Sequence, residues 1–135
     1  MQEIHFIDTS LRDGNQSLWD ATGLTTGDIL AIAPHADKAG FRALDFISNS
    51  GIDTAVRYHR ENPWDRVRLA VQAMPNTPLS LGTTSRRFIG FKRTPDAILS
   101  LVIKCMAING IRRIWILDAA HEAPSLLKVA RMCKA

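Results

Sequence analysis

The segment Asp8–Trp19 concentrates the side chains of this 135-residue chain that are best suited to chemistry. It reads DTSLRDGNQSLW and places two carboxylates, a guanidinium and a carboxamide within nine residues. Carboxylates are preferred ligands of hard divalent cations, and a guanidinium can hold a carboxylate through two parallel hydrogen bonds. A Gln amide can donate to a carbonyl oxygen that becomes an enolate. Judged by spacing alone, a site of this kind and a solvated loop with one Asp–Arg pair are equally well supported.

The elements around this segment alternate between strand and helix. Strand-like stretches occur at residues 3–9, 42–48, 78–84 and 112–118, with starts 39, 36 and 34 residues apart. Helical patterns lie between them at 26–39, beginning at Thr26 or Asp28, at 63–74, at 95–109 and from 124 to the end, and a short turn is expected at 53–60. Asn62-Pro63 is a typical helix start, whereas Gly40 and Gly110 stand where helices end. A kink or break is expected at Pro34. Each spacing suits a strand plus a crossover helix, so the sequence predicts an α/β fold with a parallel sheet.

The predicted carboxyl ends of all four strands are polar. They read Asp8-Thr9, Ser48–Gly51, Thr83–Arg87 and Asp118–His121. Parallel α/β proteins bind ligands at this edge of the sheet, so it is the expected site face. These ends are rich in groups that bind metals or anions, among them Arg86, Arg87 and Asp118.

Composition limits the classes of protein to be considered. The length suits one domain, and apolar residues make up 46%. No apolar run is long enough to span a membrane, and the start MQEIHFIDTS lacks the basic region of a secretory signal. Two isolated cysteines, Cys105 and Cys133, form no metal or disulfide motif, so a cytoplasmic protein with reduced thiols is expected.

The charge of the chain is unevenly distributed. Residues 1–56 carry three basic and eight acidic side chains, a balance of −5, whereas residues 57–135 carry fourteen and five, a balance of +9. The densest basic stretch runs from Arg57 to Arg93. It could meet an anionic partner, but the favoured interpretation is that the arginines at 57, 60, 66 and 68 are solvated helix faces. Nucleic acid is not the expected partner.

The first loop resembles the D-T-T-L-R-D-x-x-Q-S-L signature of the pyruvate carboxyltransferase branch of metal-dependent lyase barrels. Three further motifs resemble the same branch: ENPWDR at 61–66 followed by MPNTP at 74–78, Gly90-Phe91 with Pro95-Asp96, and NGI at 109–111 with LDA at 117–119. The branch includes the carboxyltransferase domain of pyruvate carboxylase, oxaloacetate decarboxylase alpha subunits and the transcarboxylase large subunit.

The resemblance implies a fold and an activity. The chain would form about four of the eight strand–helix units of a TIM (β/α)8 barrel, with residues 1–135 as a single partial domain. The family moves a carboxyl group between biotin, carried on a partner domain, and a 2-oxo acid such as pyruvate or oxaloacetate. By the same resemblance, Asp13 ligates a divalent metal of the Zn, Mn or Co type, while Arg12 and Gln16 hold the 2-oxo acid and stabilise its enolate.

The chain also departs from the family pattern. Asn15 stands where the family has His, and Thr84 where it has the arginine of the third loop, so that Arg86 or Arg87 would have to replace it. The family's carboxylated lysine and H-x-H pair have no counterpart, and His121 is the one histidine placed to approach the site. We therefore expect neither metal nor biotin to bind tightly and the isolated chain to be inactive.

Two other functions remain open at this stage. One is a biotin-independent 2-oxo acid lyase or aldolase of the same superfamily, and the other is a non-catalytic basic binding module. A half barrel would also leave two open sheet edges, which predicts self-association of half barrels.

Overall fold

The computed structural model describes residues 3–88 and 92–134 of the chain. The strands in these ranges are β1 (Ile7–Asp8), β2 (Ala43–Ser48), β3 (Leu79–Thr84) and β4 (Arg113–Leu117). The α-helices are α1 (Asn15–Trp19), α2 (Thr26–Lys38), α3 (Asn49–Arg57), α4 (Pro63–Ala73), α5 (Asp96–Ile108) and α6 (Ala123–Lys134). The Gly90-Phe91 motif and the last predicted helical residue, Ala135, lie outside the described residues.

The four strands form one parallel sheet in the order β1-β2-β3-β4. This confirms the predicted α/β fold, because each strand pairs with the next in sequence after a helical crossover. The predicted strand at 3–9 is reduced to Ile7–Asp8, although the carbonyl of Phe6 still accepts a hydrogen bond from the backbone N–H of Arg42. A bulge in β2 between Asp45 and Ile47 shifts its register against β3.

The starts and ends of the helices follow local side-chain chemistry. Thr25, one residue before the predicted start of α2, caps that helix through a reciprocal pair of hydrogen bonds with Asp28. Asn62 caps α4 ahead of Pro63, as predicted. Pro34 lies within α2, and the helix continues through it to Lys38 instead of breaking there.

Two segments that the sequence predicts as a turn and a loop are helical in the structure. The segment predicted as a turn at 53–60 is helix α3, which begins at Asn49 because the Ser48 hydroxyl accepts a hydrogen bond from the backbone N–H of Gly51. The chemistry-bearing loop is a π-helical turn, Ser10–Gly14, that leads directly into α1. A one-turn π-helix is rare and is frequent at functional sites.

The two faces of the sheet differ in character. Partner residues in a parallel pair lie on the same face, so Leu44, Leu81 and Ile114 share one face and Asp45, Gly82 and Trp115 share the other. The first face packs on the helices, and its core contains buried residues of four helices: Ile29, Val67, Leu99, Met106 and Val129. The second face receives the turn 10–14, and it carries Asp45 and Gly82 on β2 and β3 and the aromatic Trp115 on β4.

Arg66 corrects the interpretation of the basic stretch. The sequence predicts a solvated helix face at this position, but Arg66 is 3% exposed. Its guanidinium donates to Glu61 at 2.6 Å and to the Thr26 hydroxyl at 3.0 Å, and Glu61 also accepts from the backbone N–H of Thr26. Arg66 therefore joins α4 to the N-terminus of α2 as a buried, paired cation.

Both cysteines are free thiols, with Cys105 half-buried and Cys133 exposed. Across residues 3–88 and 92–134, no helix combines the length and the apolar character needed to cross a bilayer.

Gly110 and Gly40 provide a matched test of the helix ends. Both have positive φ, at 104° and 79°, as their predicted roles after α5 and α2 require. A Cβ at Gly40 meets nothing within 4 Å, whereas one at Gly110 lies 2.7 Å from Val71. In urea unfolding, we expect Gly40→Ala to cost about 1–2 kcal/mol and Gly110→Ala at least about 1 kcal/mol more. Equal losses would show that Val71 moves aside without cost.

Candidate functional site

A buried ion pair holds Arg12 over the carboxyl end of the sheet. Nε of Arg12 donates to Oδ2 of Asp45 at 2.6 Å, and Nη2 lies 2.5 Å from the same oxygen. The side chain of Asp45 is fully buried, and that of Arg12 is 13% exposed. The guanidinium also lies close to Gly82 in β3, where an added Cβ would stand 3.9 Å from Nε. The pair therefore fixes the turn 10–14 against β2 and β3.

Asp45 was missed by the sequence reasoning, although one signal for it was present. It is a lone carboxylate in the otherwise apolar strand segment ALDFI, where an unpaired charge would be strongly unfavourable. Such a residue predicts a buried cation nearby. Its second oxygen, Oδ1, is buried and has no hydrogen-bond partner among the described residues.

Asp13 contacts Arg12 within the turn, and Gln16 follows at the start of α1. Nη1 of Arg12 lies 3.0 Å from Oδ1 of Asp13, whose side chain is 55% exposed. Oε1 of Gln16 accepts from the hydroxyl of Ser48 at 3.2 Å, which leaves the Gln16 amide N–H groups as the available donors. The turn thus presents a guanidinium edge, a carboxylate and an amide donor together.

Asn15, which stands at the family's histidine position, has a local structural role. It is buried, its Nδ2 donates to the carbonyl of Ala21 and its Oδ1 accepts from the backbone N–H of Gly23. These two bonds hold the turn after α1. The amide is therefore committed to the backbone and does not take part in the arrangement around Arg12.

The remaining predicted site residues line a second cleft. Arg86, Arg87 and Asp118 line a cavity of about 590 Å³ at the carboxyl ends of β3 and β4, together with Arg93. Arg86 forms an ion pair with Glu122. The backbone carbonyl of Arg87 accepts from Nδ2 of Asn49, which connects this loop to α3. The cleft therefore combines several guanidinium groups with one carboxylate.

Asp118 is held in its ionised form. The Ser85 hydroxyl donates to its Oδ2 at 2.8 Å and lowers the pKa of the carboxyl group, and the backbone N–H of Ala120 and the charges of Arg86 and His121 lower it further. The side chain is thus an acceptor at neutral pH rather than a proton donor.

Thr84, which stands where the family has an arginine, does not replace that guanidinium. Its hydroxyl donates to the carbonyl of Arg87 and accepts from the backbone N–H of the same residue. The side chain therefore closes the 84–87 turn. Arg86 and Arg87 are displaced from this position along the loop and line the second cleft, whereas Arg12 lines a different cavity beneath the turn 10–14.

The described residues do not supply a complete metal site. Within 3–88 and 92–134, no group of three or more His, Cys, Asp or Glu side chains is placed to hold a metal ion. Asp13 provides one exposed carboxylate, which is already in contact with Arg12. His121 adopts a left-handed backbone conformation, with φ at 51°, in the turn after β4. One carboxylate does not meet the six or more oxygen ligands that hard cations prefer.

No family model matches the chain. Among characterised proteins, it is similar to a pyruvate carboxylase subunit of Methanothermobacter thermautotrophicus, at 34% identity over 134 residues. That match covers 97% of this chain and 23% of the relative. It is also similar to the methylmalonyl-CoA carboxyltransferase 5S subunit of Propionibacterium freudenreichii subsp. shermanii, at 26% identity, covering 90% of this chain and 24% of the relative.

A comparison with solved structures finds a similarity to the same kind of protein. The carboxyl transferase domain from Rhizobium etli pyruvate carboxylase with oxamate and biotin matches with a TM-score of 0.91 and 25% identity, covering 98% of this chain and 22% of that chain. The predicted resemblance is thus confirmed: the chain is homologous to biotin-dependent carboxyltransferases, and its α/β fold matches part of their TIM barrel. The chain spans less than a quarter of the length of each of these relatives.

The Arg12–Asp45 pair can be tested by unfolding. Asp45→Asn leaves the buried guanidinium without a countercharge, so we expect a loss of about 3–5 kcal/mol at a fixed protein concentration. The matched control is Asp53→Asn, which breaks the exposed Asp53–Arg57 pair and should cost under about 1 kcal/mol. The double variant Asp45→Leu/Arg12→Met should lose less than Asp45→Asn alone. Similar losses for Asp45→Asn and Asp53→Asn would contradict a buried, coupled pair.

Ser85 is expected to set the pKa of Asp118. Ser85→Ala removes the hydroxyl donor, so the pKa of Asp118 should rise towards its ordinary value in a carboxyl-carbon NMR titration. Asp28, whose pKa is lowered by Thr25 instead, is the internal control and should not change. A group with a lowered folded-state pKa stabilises the fold above its ordinary pKa and loses that effect as the pH falls through the lowered value. An unchanged Asp118 titration would show that Ser85 is not the main cause.

Proposed function

We propose that this chain forms the first half of a carboxyltransferase barrel that moves a carboxyl group between biotin and a 2-oxo acid of the pyruvate or oxaloacetate type. The observation that carries the proposal is that Arg12 and Asp13 lie on one turn at the carboxyl end of a parallel sheet, with Gln16 directly after it at the start of α1. Homology to carboxyltransferases of this kind supports it. The isolated chain is expected to be inactive, because its described residues leave the ligand set incomplete.

Arg12 would bind the carboxylate of the 2-oxo acid. Its Nε and Nη2 are fixed by the buried Asp45, whereas Nη1 contacts the exposed Asp13. The contact with Asp13 is therefore the exchangeable one, since an exposed ion pair costs little to break. A substrate carboxylate can take the place of Asp13 at this edge without moving the guanidinium. Asp45 acts here as a positioning residue.

Gln16 would stabilise the enolate oxygen. Ser48 donates to Oε1 of Gln16 and so turns its amide N–H groups away from β2. A fixed donor aimed at an oxygen that gains negative charge lowers the barrier without reorganisation. Once the partner ligands are supplied, Asp13 would be one oxygen ligand of the divalent cation. Arg86, Arg87 and Asp118 would line the adjoining substrate or biotin region.

A biotin-independent lyase or aldolase is the second candidate function. The observation that favours it is Thr84, whose hydroxyl is committed to the 84–87 turn and leaves this position without a guanidinium. A basic binding module is less well supported, because Arg57, Arg66, Arg68 and Arg86 of the basic stretch each form an ion pair with an acidic residue.

A chimera tests the proposal. This chain would replace the 134 aligned residues of the Methanothermobacter protein, and both biotin-dependent carboxyl exchange with pyruvate and oxaloacetate decarboxylation would be measured. We expect exchange in the chimera and none in the isolated chain with added Mn²⁺. Arg12→Lys and Gln16→Ala should each lower turnover by about 10²-fold, as loss of a directed donor does. The control Arg57→Lys, at an exposed helix position, should leave it unchanged.

The possible outcomes separate the functions. Decarboxylation without biotin-dependent exchange would favour the lyase. A folded chimera with neither activity, or one in which Arg12→Lys behaves like Arg57→Lys, would overturn the proposed site. Appreciable turnover by the isolated chain would contradict the incomplete ligand set.

A further inference from the structure

The parallel sheet has two edges without a neighbouring strand. Among the described residues, β1 pairs with β2 alone and β4 pairs with β3 alone. Each edge exposes backbone N–H and C=O groups, which is a surface on which another strand can pair. The behaviour of this chain in solution therefore depends on what covers these two edges.

Apolar side chains are exposed at both edges. Next to β1, Ile4 is 76% exposed and Phe6 is 69% exposed. On β4, Trp115 is 37% exposed and Leu117 is 44% exposed. A cleft of about 470 Å³ runs along the edge of β4 and is lined largely by apolar atoms, with Ile116, Leu117 and Leu126 among its residues. Each edge thus lacks a packing partner as well as hydrogen bonds.

We propose that a second copy of this chain covers both edges, with β4 of each copy pairing with β1 of the other. A twofold axis along the strand direction makes both new pairs parallel, like the three pairs already present. The closed sheet then has eight strands, the number at which side chains just fill the interior of a barrel. The proposal concerns the 135-residue chain by itself, because in the complete carboxyltransferase barrel proposed above further strand–helix units would cover the same two edges.

The helix that covers each new junction is α6. Following the alternation back from Asp8, which pairs with Leu44 of the helix-packed face, Phe6 points to the helix side of the sheet. In the closed assembly, α6 of the partner copy lies over this position. Its own apolar residue Leu127 is 56% exposed and would meet Phe6 there. Trp115 and Leu117 lie on the opposite face and would fill the interior.

Charge favours this head-to-tail pairing. The half of the chain that contains β1 has a charge balance of −5, and the half that contains β4 has a balance of +9. The rotation places the acidic half of one copy against the basic half of the other at both junctions. Helix α6 carries Lys128, Arg131 and Lys134 and no acidic residue, whereas α2, which it would approach, carries Asp28 and Asp37. Complementary charge favours this register over edge pairing of like halves.

Sedimentation velocity and hydrogen exchange of the 135-residue chain test the proposal. We expect a compact dimer of twice the 15.0 kDa chain mass, with protected amides at residues 4–8 and 113–117. Phe6→Glu removes two apolar contacts per dimer and should raise the dissociation constant roughly 10²-fold or more. Leu127→Glu should act in the same direction. Both residues are exposed in a single copy, so neither variant should prevent folding.

The matched control is Ile108→Glu, which puts the same charge on an apolar residue that is 82% exposed at the end of α5, the helix between β3 and β4. It should leave the dimer intact. A monomer at all concentrations, an open series of larger oligomers, or a dimer broken by Ile108→Glu and not by Phe6→Glu would each overturn the proposal. So would a chain that stays monomeric until a different polypeptide with further strand–helix units is added.

Discussion

The rest of the candidate site depends on the ion pair between Arg12 and Asp45. A fully buried carboxylate in the middle of a sheet is tolerated only if a cation meets it, and Arg12 is the residue that does so. Because the guanidinium must reach the second face of the sheet, the chain after β1 is bent into the π-helical turn 10–14. Asp13 and Gln16 are carried by the same stretch, so their positions follow from that one contact.

The two faces of the sheet differ in role because the Arg12–Asp45 pair lies on only one of them. The helix-packed face is closed by apolar side chains such as Leu81 and Val67, both fully buried, which fix the strands to one another. The opposite face has Gly82 next to Arg12, where an added Cβ would be 3.9 Å from Nε, and a bulge in β2 beside Asp45. Rigid packing on one side thus allows a polar, less regular arrangement on the other, and the chemistry is confined to that side.

Much of the fold was predictable, because strand–helix alternation and helix signals are local. Asn62-Pro63 begins a helix as predicted, and Gly40 and Gly110 follow helix ends as predicted. The errors came from contacts between distant residues. Arg66 is buried by Glu61 and by Thr26, forty residues away, and Asp45 is paired across thirty-three residues, so neither pairing can be read from the local pattern. The first motif predicts Arg12, Asp13 and Gln16 as site residues, and it gives no indication of Asp45, the residue that holds Arg12.

The excess of positive charge does not by itself make this chain suited to binding an anion. Four arginines of the basic stretch are committed to acidic partners, and Arg66 in particular is buried and needed by the fold. Arg12 is different, because its buried partner fixes the guanidinium while its third nitrogen contacts only an exposed carboxylate. An anion therefore gains the most binding free energy from a cation that is already oriented and is desolvated on one side. The guanidinium of Arg12, and not the net charge, is therefore the feature of this chain that is suited to holding a carboxylate.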